Sequence, residues 1–252
     1  MASAALRVFI FCLLQLCIQC DEMPVNTEVL AEMIQYFDNK LQPTWYDQRG
    51  RIGYSQYAVL IRVPYQQCTG QFSLDSVFTN EVRNAFNDFK TNSRQRFYEV
   101  TRGSVRLTAA KPSRPLGSEE NDHAEFILIY HRDYTNRSPL EKILSMNNDD
   151  KCVVLYTYYS PCIEKCINGA YDNILDGLSF WQESQTTGIK AFVFQEIWPN
   201  DSTGVPEDQQ QQFTKINNLV PLYRCVYDDD NEMECYKCGD AGSETLHAYC
   251  VS

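Results

Sequence analysis

Two stretches that read as buried strands constrain the fold of this chain most: the continuous apolar run Cys152–Tyr158 (CVVLYTY) and Ala191–Ile197 (AFVFQEI). Each is long enough for one strand, and neither alternates apolar with polar residues. Such strands are covered on both faces and belong in the interior of a sheet flanked by helices. Between them, Ser160-Pro161 starts a helix, because serine caps and proline suits the first helical position. Tyr171, Ile174, Leu175 and Leu178 continue that helix. Strands alternating with helices imply an α/β or α+β sandwich with at least some parallel pairing.

The remaining pattern agrees. Leu30, Met33, Ile34, Phe37 and Leu41 fall at helical spacing behind a cap at Asn26 or Thr27. A loop around Pro43 leads to a strand at Tyr57–Val63, which stops at Pro64. Phe78, Val82, Ala85, Phe86 and Phe89 mark a second helix, and Phe97–Thr101 and Ser104–Ala110 read as strands joined at Arg102-Gly103. After a loop at Lys111–Asn121 come a helix from His123 through Tyr130, a later helix at Gln209–Leu219 and a strand at Leu222–Tyr227. Residues 21–227 are expected to form the main domain, and 228–252 an acidic, cysteine-rich tail.

Residues 1–20 read as a secretory signal peptide: Arg7 provides the positive start, and Val8–Leu16 an apolar stretch too short to span a bilayer. Three of the eleven cysteines lie in it, which leaves eight, an even number suited to disulfides outside the cell. No later segment predicts a membrane span. The net charge of -11 argues against a generic binder of nucleic acid or anionic membrane.

Chemistry concentrates in two stretches, Asp122-His123-Ala124-Glu125 and Ser160-Pro161-Cys162-Ile163-Glu164-Lys165-Cys166. One imidazole and two thiolates leave a zinc ion an open position for water. Cys162 and Cys166 are four apart, hence on one face of a helical turn, and a helix N-terminus favours thiolate. Glu125 is not needed as a ligand and is placed to carry protons. Other readings exist for each piece: Asp122-x-x-Glu125 is also a capping box, and either cysteine could form a disulfide.

Ligands and order are those of zinc nucleobase deaminases, and Tyr156-Thr157-Tyr158-Tyr159-Ser160-Pro161-Cys162 resembles the Thr-Ser-Trp-Ser-Pro-Cys run of the AID/APOBEC branch. With its signal peptide, the chain resembles the secreted novel AID/APOBEC-like deaminases over roughly residues 95–227. The resemblance implies a cytidine deaminase-like three-layer sandwich with a mixed five-stranded sheet flanked by helices. It implies zinc on His123, Cys162 and Cys166, proton transfer by Glu125, and Tyr159, Ser160 and Trp198 around the substrate base. It also implies hydrolysis of cytosine to uracil in a nucleoside or a single-stranded polynucleotide. A secreted recognition protein that keeps the zinc fold as a scaffold is the alternative. The chain departs from the branch in three ways: three residues separate the cysteines instead of two, Tyr159 stands where tryptophan is usual, and an extra loop is expected at Tyr134–Asp150.

Two features bear on the substrate. Lys90–Arg114 carries seven basic residues against Glu99 alone, a local charge of +6 (7 minus 1) that leaves -17 elsewhere. A basic edge suits a polynucleotide backbone, although these side chains also suit a solvated strand face. Asn200-Asp201-Ser202 is a glycosylation acceptor, which implies exposure, and Asn136-Arg137-Ser138 is a weaker one because Pro139 follows. In the tail, Cys235-x-x-Cys238 with His247-x-x-Cys250 has the spacing of a structural zinc site, against which an oxidising compartment favours disulfides.

Overall fold

A computed structural model of the protein describes residues 24–251, apart from 76, 115–120, 131–136, 147–150, 171–172, 203 and 205. The expected signal peptide therefore lies outside the described residues, as do His131, Asn136 and Tyr171.

The first helix, α1 (Thr27–Leu41), starts where Asn26 accepts hydrogen bonds from the N–H groups of Glu28 and Val29. The loop expected around Pro43 is instead a small hairpin, β1 (Thr44–Tyr46) and β2 (Ile52–Tyr54). Its turn closes because Asp47 accepts from the N–H groups of Arg49 and Arg51, with Gly50 at a φ of 75°. Next come β3 (Ala58–Pro64), the short α2 (Gln66–Thr69), α3 (Asn80–Thr91), β4 (Phe97–Arg102), β5 (Val105–Ala110) and α4 (Ala124–Ile129). The insertion expected as loop contains a helix, α5 (Pro139–Leu144), fixed by a reciprocal cap between Ser138 and Glu141. β6 (Lys151–Tyr159), α6 (Leu175–Ser184), β7 (Ile189–Glu196), α7 (Pro206–Asn217), β8 (Leu222–Tyr227) and β9 (Met233–Lys237) complete the order.

The main sheet has seven strands, not five, in the order β4-β5-β3-β6-β7-β8-β9. β6, β7 and β8 are mutually parallel, in keeping with the parallel pairing that strands alternating with helices implied, and the other pairings are antiparallel. The seventh strand comes from the segment set apart as a tail. Its acidic run is the turn itself: Asp228 accepts from the N–H groups of Asp230 and Glu232, and Asn231 takes a φ of 64°. Cys225 and Cys235, opposite one another in the ladder, form a disulfide across it.

Period-two alternation divides the core into the two outer faces of a three-layer sandwich. Val59, Ile61, Val154 and Tyr156 pack with α1 and α3 on one face, and Ala58, Leu60, Val153 and Leu155 pack with α4–α7 on the other. Fully burying each large apolar side chain stabilises the fold by roughly 1.5–3 kcal/mol. Disulfides Cys68–Cys152 and Cys238–Cys250 add staples, so the tail cysteines are paired rather than gathered on a metal. Among the described residues, the free cysteines are Cys162 and Cys166. No described helix is long and apolar enough to cross a membrane.

Candidate metal centre

The centre lies beside the carboxyl ends of the parallel strands, where open α/β sheets leave a crevice. Its histidine owes its position to backbone pairing upstream. Ser113 and Asp122 exchange two backbone hydrogen bonds, of 3.1 and 2.9 Å, which commits Asp122 to an extended bridge. His123, with φ -74° and ψ 154°, thus becomes the residue capping α4, and its side chain makes no capping bond. The capping-box reading of Asp122 and Glu125 therefore does not describe this turn.

The cysteines sit on a turn that is not the start of one long helix. After β6 the chain makes a single wide turn, Ile163–Ile167, in which Asn168 N–H reaches Ile163 O five residues back. α6 begins only at Leu175. Gly169 separates the two elements at a place where a Cβ would lie 2.2 Å from Lys165 O. Cys166 N–H bonds Cys162 O at 3.0 Å, so the three-residue gap spans one full turn and brings both sulfurs together. Asp201, from the loop after β7, supplies the cap by accepting the Ile163 N–H at 3.0 Å.

His123 Nδ1, Cys162 Sγ and Cys166 Sγ lie within 4.8 Å of one another, a group able to hold a metal ion. The sulfurs are 3.0 Å apart, and His123 Nδ1 is 3.0 Å from Cys166 Sγ and 3.7 Å from Cys162 Sγ. One nitrogen and two unbridged sulfurs make a donor set suited to a borderline-soft ion such as zinc, and among the described residues no third free sulfur closes the site. Without a cation these groups must share protons. The contact with Cys166 pushes the Cys162 thiol down to about 5, whereas its hydrogen bond with Cys162 and burial push the Cys166 thiol up. Contacts with Cys162 and Glu125 raise His123 to about 10.

Glu125 is wholly buried beside this group. Its Oε1 accepts from Cys166 Sγ at 3.2 Å and lies 3.6 Å from His123 Nδ1. Burial opposes its charge, but the adjoining His123 holds its carboxyl below the usual carboxylate range. Its Oε2 accepts from Gln56 Nε2 at 3.2 Å. Gln56 also donates to Thr157 Oγ1 at 2.7 Å and accepts the Tyr159 N–H at 2.8 Å. Nothing in the sequence marks Gln56 or Asp201 for this centre. Gln56 precedes β3 and Asp201 is the middle residue of the acceptor triplet, so only the folded arrangement gives them a role.

The other expected site residues fall close by in different ways. Trp198 lies with its ring centroid 5.8 Å from that of His123 and 5.4 Å from that of Tyr159. Ser160 is buried; its Oγ accepts the Trp198 N–H at 2.9 Å and its own N–H reaches Glu196 O at 2.7 Å. It therefore positions the Trp198 loop. Asn200 is exposed and lines, with His123, Cys162, Trp198 and Asp201, a cavity of about 390 Å³. That volume is in the range of small-molecule sites. Gln56 lines a second cavity, of about 350 Å³, together with Trp45, Lys90, Arg96, Lys111 and Arg114. No described carboxylate lines this second cavity. The basic segment thus divides: Arg106 is committed to Glu99, and four other cations gather beside the residue that holds Glu125.

No curated protein and no solved structure gives a match to this chain. Residues 27–251, from the first helix to the penultimate residue, match one family and take in β9 and the disulfide-linked C-terminal segment. With a deaminase-like sandwich and a His-Cys-Cys group at its crevice, the chain belongs to the family described as Secreted Novel AID/APOBEC-like Deaminase 1.

Proposed function

We propose that the protein is a secreted, zinc-dependent hydrolytic deaminase that converts cytosine to uracil in a nucleoside or a single-stranded polynucleotide. His123, Cys162 and Cys166 would hold the zinc. When bound, the ion supplies a Lewis acid that brings a water molecule toward ionisation near neutral pH. The observation that carries the reading is the buried Glu125 carboxylate, with one oxygen facing the ligand group and the other fixed by Gln56. A site that only held the fold together would not need a proton carrier there. Glu125 takes one proton from the attacking water, passes it to the ring nitrogen, and assists departure of the amine as ammonia. Water and cytosine are consumed, and uracil and ammonia leave.

Trp198 and Tyr159 offer ring faces and edges to the base, and Ser160 holds the Trp198 loop in place. The basic cavity beside Gln56 would take phosphate. Secretion is supported by the three disulfides, the expected signal peptide and the family to which the chain belongs.

Glu125→Gln tests this reading. Parent and variant should both carry zinc, while only the parent releases ammonia from cytidine, single-stranded DNA or RNA. A zinc-loaded parent that turns over none of them overturns the enzymatic reading in favour of a scaffold for recognition.

A further inference from the structure

The turn between β7 and α7 is tied down at several points. Trp198 O accepts the N–H groups of Asp201 and Ser202 at 2.9 and 3.0 Å, and Ser202 Oγ donates to Pro199 O at 2.7 Å. Asp201 is held in turn by the Ile163 N–H on the cysteine turn. These bonds place an exposed Asn200, the first residue of Asn200-Asp201-Ser202, among the residues lining the cavity that contains His123 and Cys162. The weaker acceptor differs: Ser138 is buried, and its hydroxyl caps α5.

We propose that Asn200 carries an N-linked glycan that stands over the mouth of the metal cavity and filters what enters by size. In the linking step, a bond forms between Asn200 Nδ2 and the anomeric carbon of an oligosaccharide borne on a lipid diphosphate. The anomeric C–O bond to phosphate breaks, the lipid diphosphate leaves with the electron pair, and one amide proton is released. The three disulfides are those of a chain that passes through the oxidising compartment where such transfer occurs. A branched oligosaccharide does not fit inside about 390 Å³ already bordered by Trp198, so it projects over the rim. A nucleoside-sized molecule passes beneath it, and a bulky one is turned away.

The free cysteines provide a probe that needs no turnover, because Cys162 lines the same cavity. Protein secreted from animal cells would be stripped of metal with a chelator under non-reducing conditions. The rate of alkylation at Cys162 would then be followed by peptide mass, with iodoacetamide and with a maleimide bearing a long polyethylene glycol. Four forms are compared: the intact glycoform, protein trimmed enzymatically to a single sugar, Asn200→Gln and Ser202→Ala. The small reagent should react alike with all four, and the bulky reagent about tenfold more slowly with the intact form alone. An unmodified Asn200, or equal rates for the bulky reagent in intact and trimmed protein, overturns the proposal. Trimming follows folding, so this comparison stands even if a substitution misfolds. A parent without deaminase activity overturns the catalytic reading and leaves the filter to be judged by the alkylation rates.

Discussion

The side-chain amide of Gln56 donates to the Glu125 carboxylate at 3.2 Å, joining two residues 69 positions apart. The same amide holds Tyr159 through its backbone N–H, so the proton carrier and one aromatic wall are positioned as a unit. Replacing Gln56 by leucine removes a hydrogen bond to a charged group, a loss of about 1.5–3 kcal/mol. We expect kcat to fall roughly 10- to 100-fold with zinc content unchanged and KM little altered. Steady-state kinetics paired with metal analysis checks this, and an unchanged kcat would remove Gln56 from the machinery.

Metal removal should be visible as lost stability. The two sulfurs, 3.0 Å apart, meet the imidazole only in the folded chain, so metal-binding energy at this site is folding energy. Chelation is expected to lower the Tm of the parent, whereas Cys166→Ser should start at the lower value and respond little. Thermal unfolding with and without chelator, at fixed protein concentration, distinguishes the two; a parent indifferent to chelator argues against a bound ion.

The basic cavity beside Gln56 makes a prediction about salt. If Arg96 and Arg114 contact phosphates of a single strand, each lost contact lowers the slope of log K against log salt by about 0.7. The double variant Arg96→Ala, Arg114→Ala should therefore bind oligonucleotides with a slope shallower by about 1.4, while turnover of free cytidine stays near that of the parent. Titration by anisotropy at several salt concentrations measures the slope. An unaltered slope would mean that the strand lies elsewhere.

Asp38, on α1, accepts hydrogen bonds from the hydroxyls of Tyr57, Tyr156 and Tyr227, at 3.0, 3.0 and 3.3 Å. Burial raises its carboxyl above the ordinary value, with the tyrosine hydroxyls pulling in the opposite direction. A raised folded-state pKa means that the folded protein binds the proton more tightly than the unfolded chain. This contribution is fully present below the unfolded value of about 3.9 and is lost as pH rises through the folded one. The stability of the parent relative to Asp38→Asn should therefore increase as pH falls from neutral toward that range. Urea unfolding of both proteins across the interval tests the sign, and a difference that shrinks on acidification contradicts it.

What the sequence by itself determined is what short-range order can encode. The runs at 152–158 and 191–197 pointed to buried strands, and the alternation of strands with helices to some parallel pairing, which β6 and β7 show. The periodicity of α1, the cap at Asn26 and the bunching of His123, Glu125, Cys162 and Cys166 near element starts were legible for the same reason. Asp228–Asp230 read as the start of a tail because three acidic residues look solvated; a tight turn uses them equally well. Likewise Ser160-Pro161 looked like the start of one helix, and the interruption at Gly169 followed from close backbone contact that periodicity does not register. Only the tertiary structure decided which cysteines pair, that a seventh strand covers β8, and that Gln56 and Asp201 brace the centre. Those outcomes depend on strand register and on loops meeting across the sheet. Residues far apart in the chain carry no local signal of the neighbour that folding will bring them.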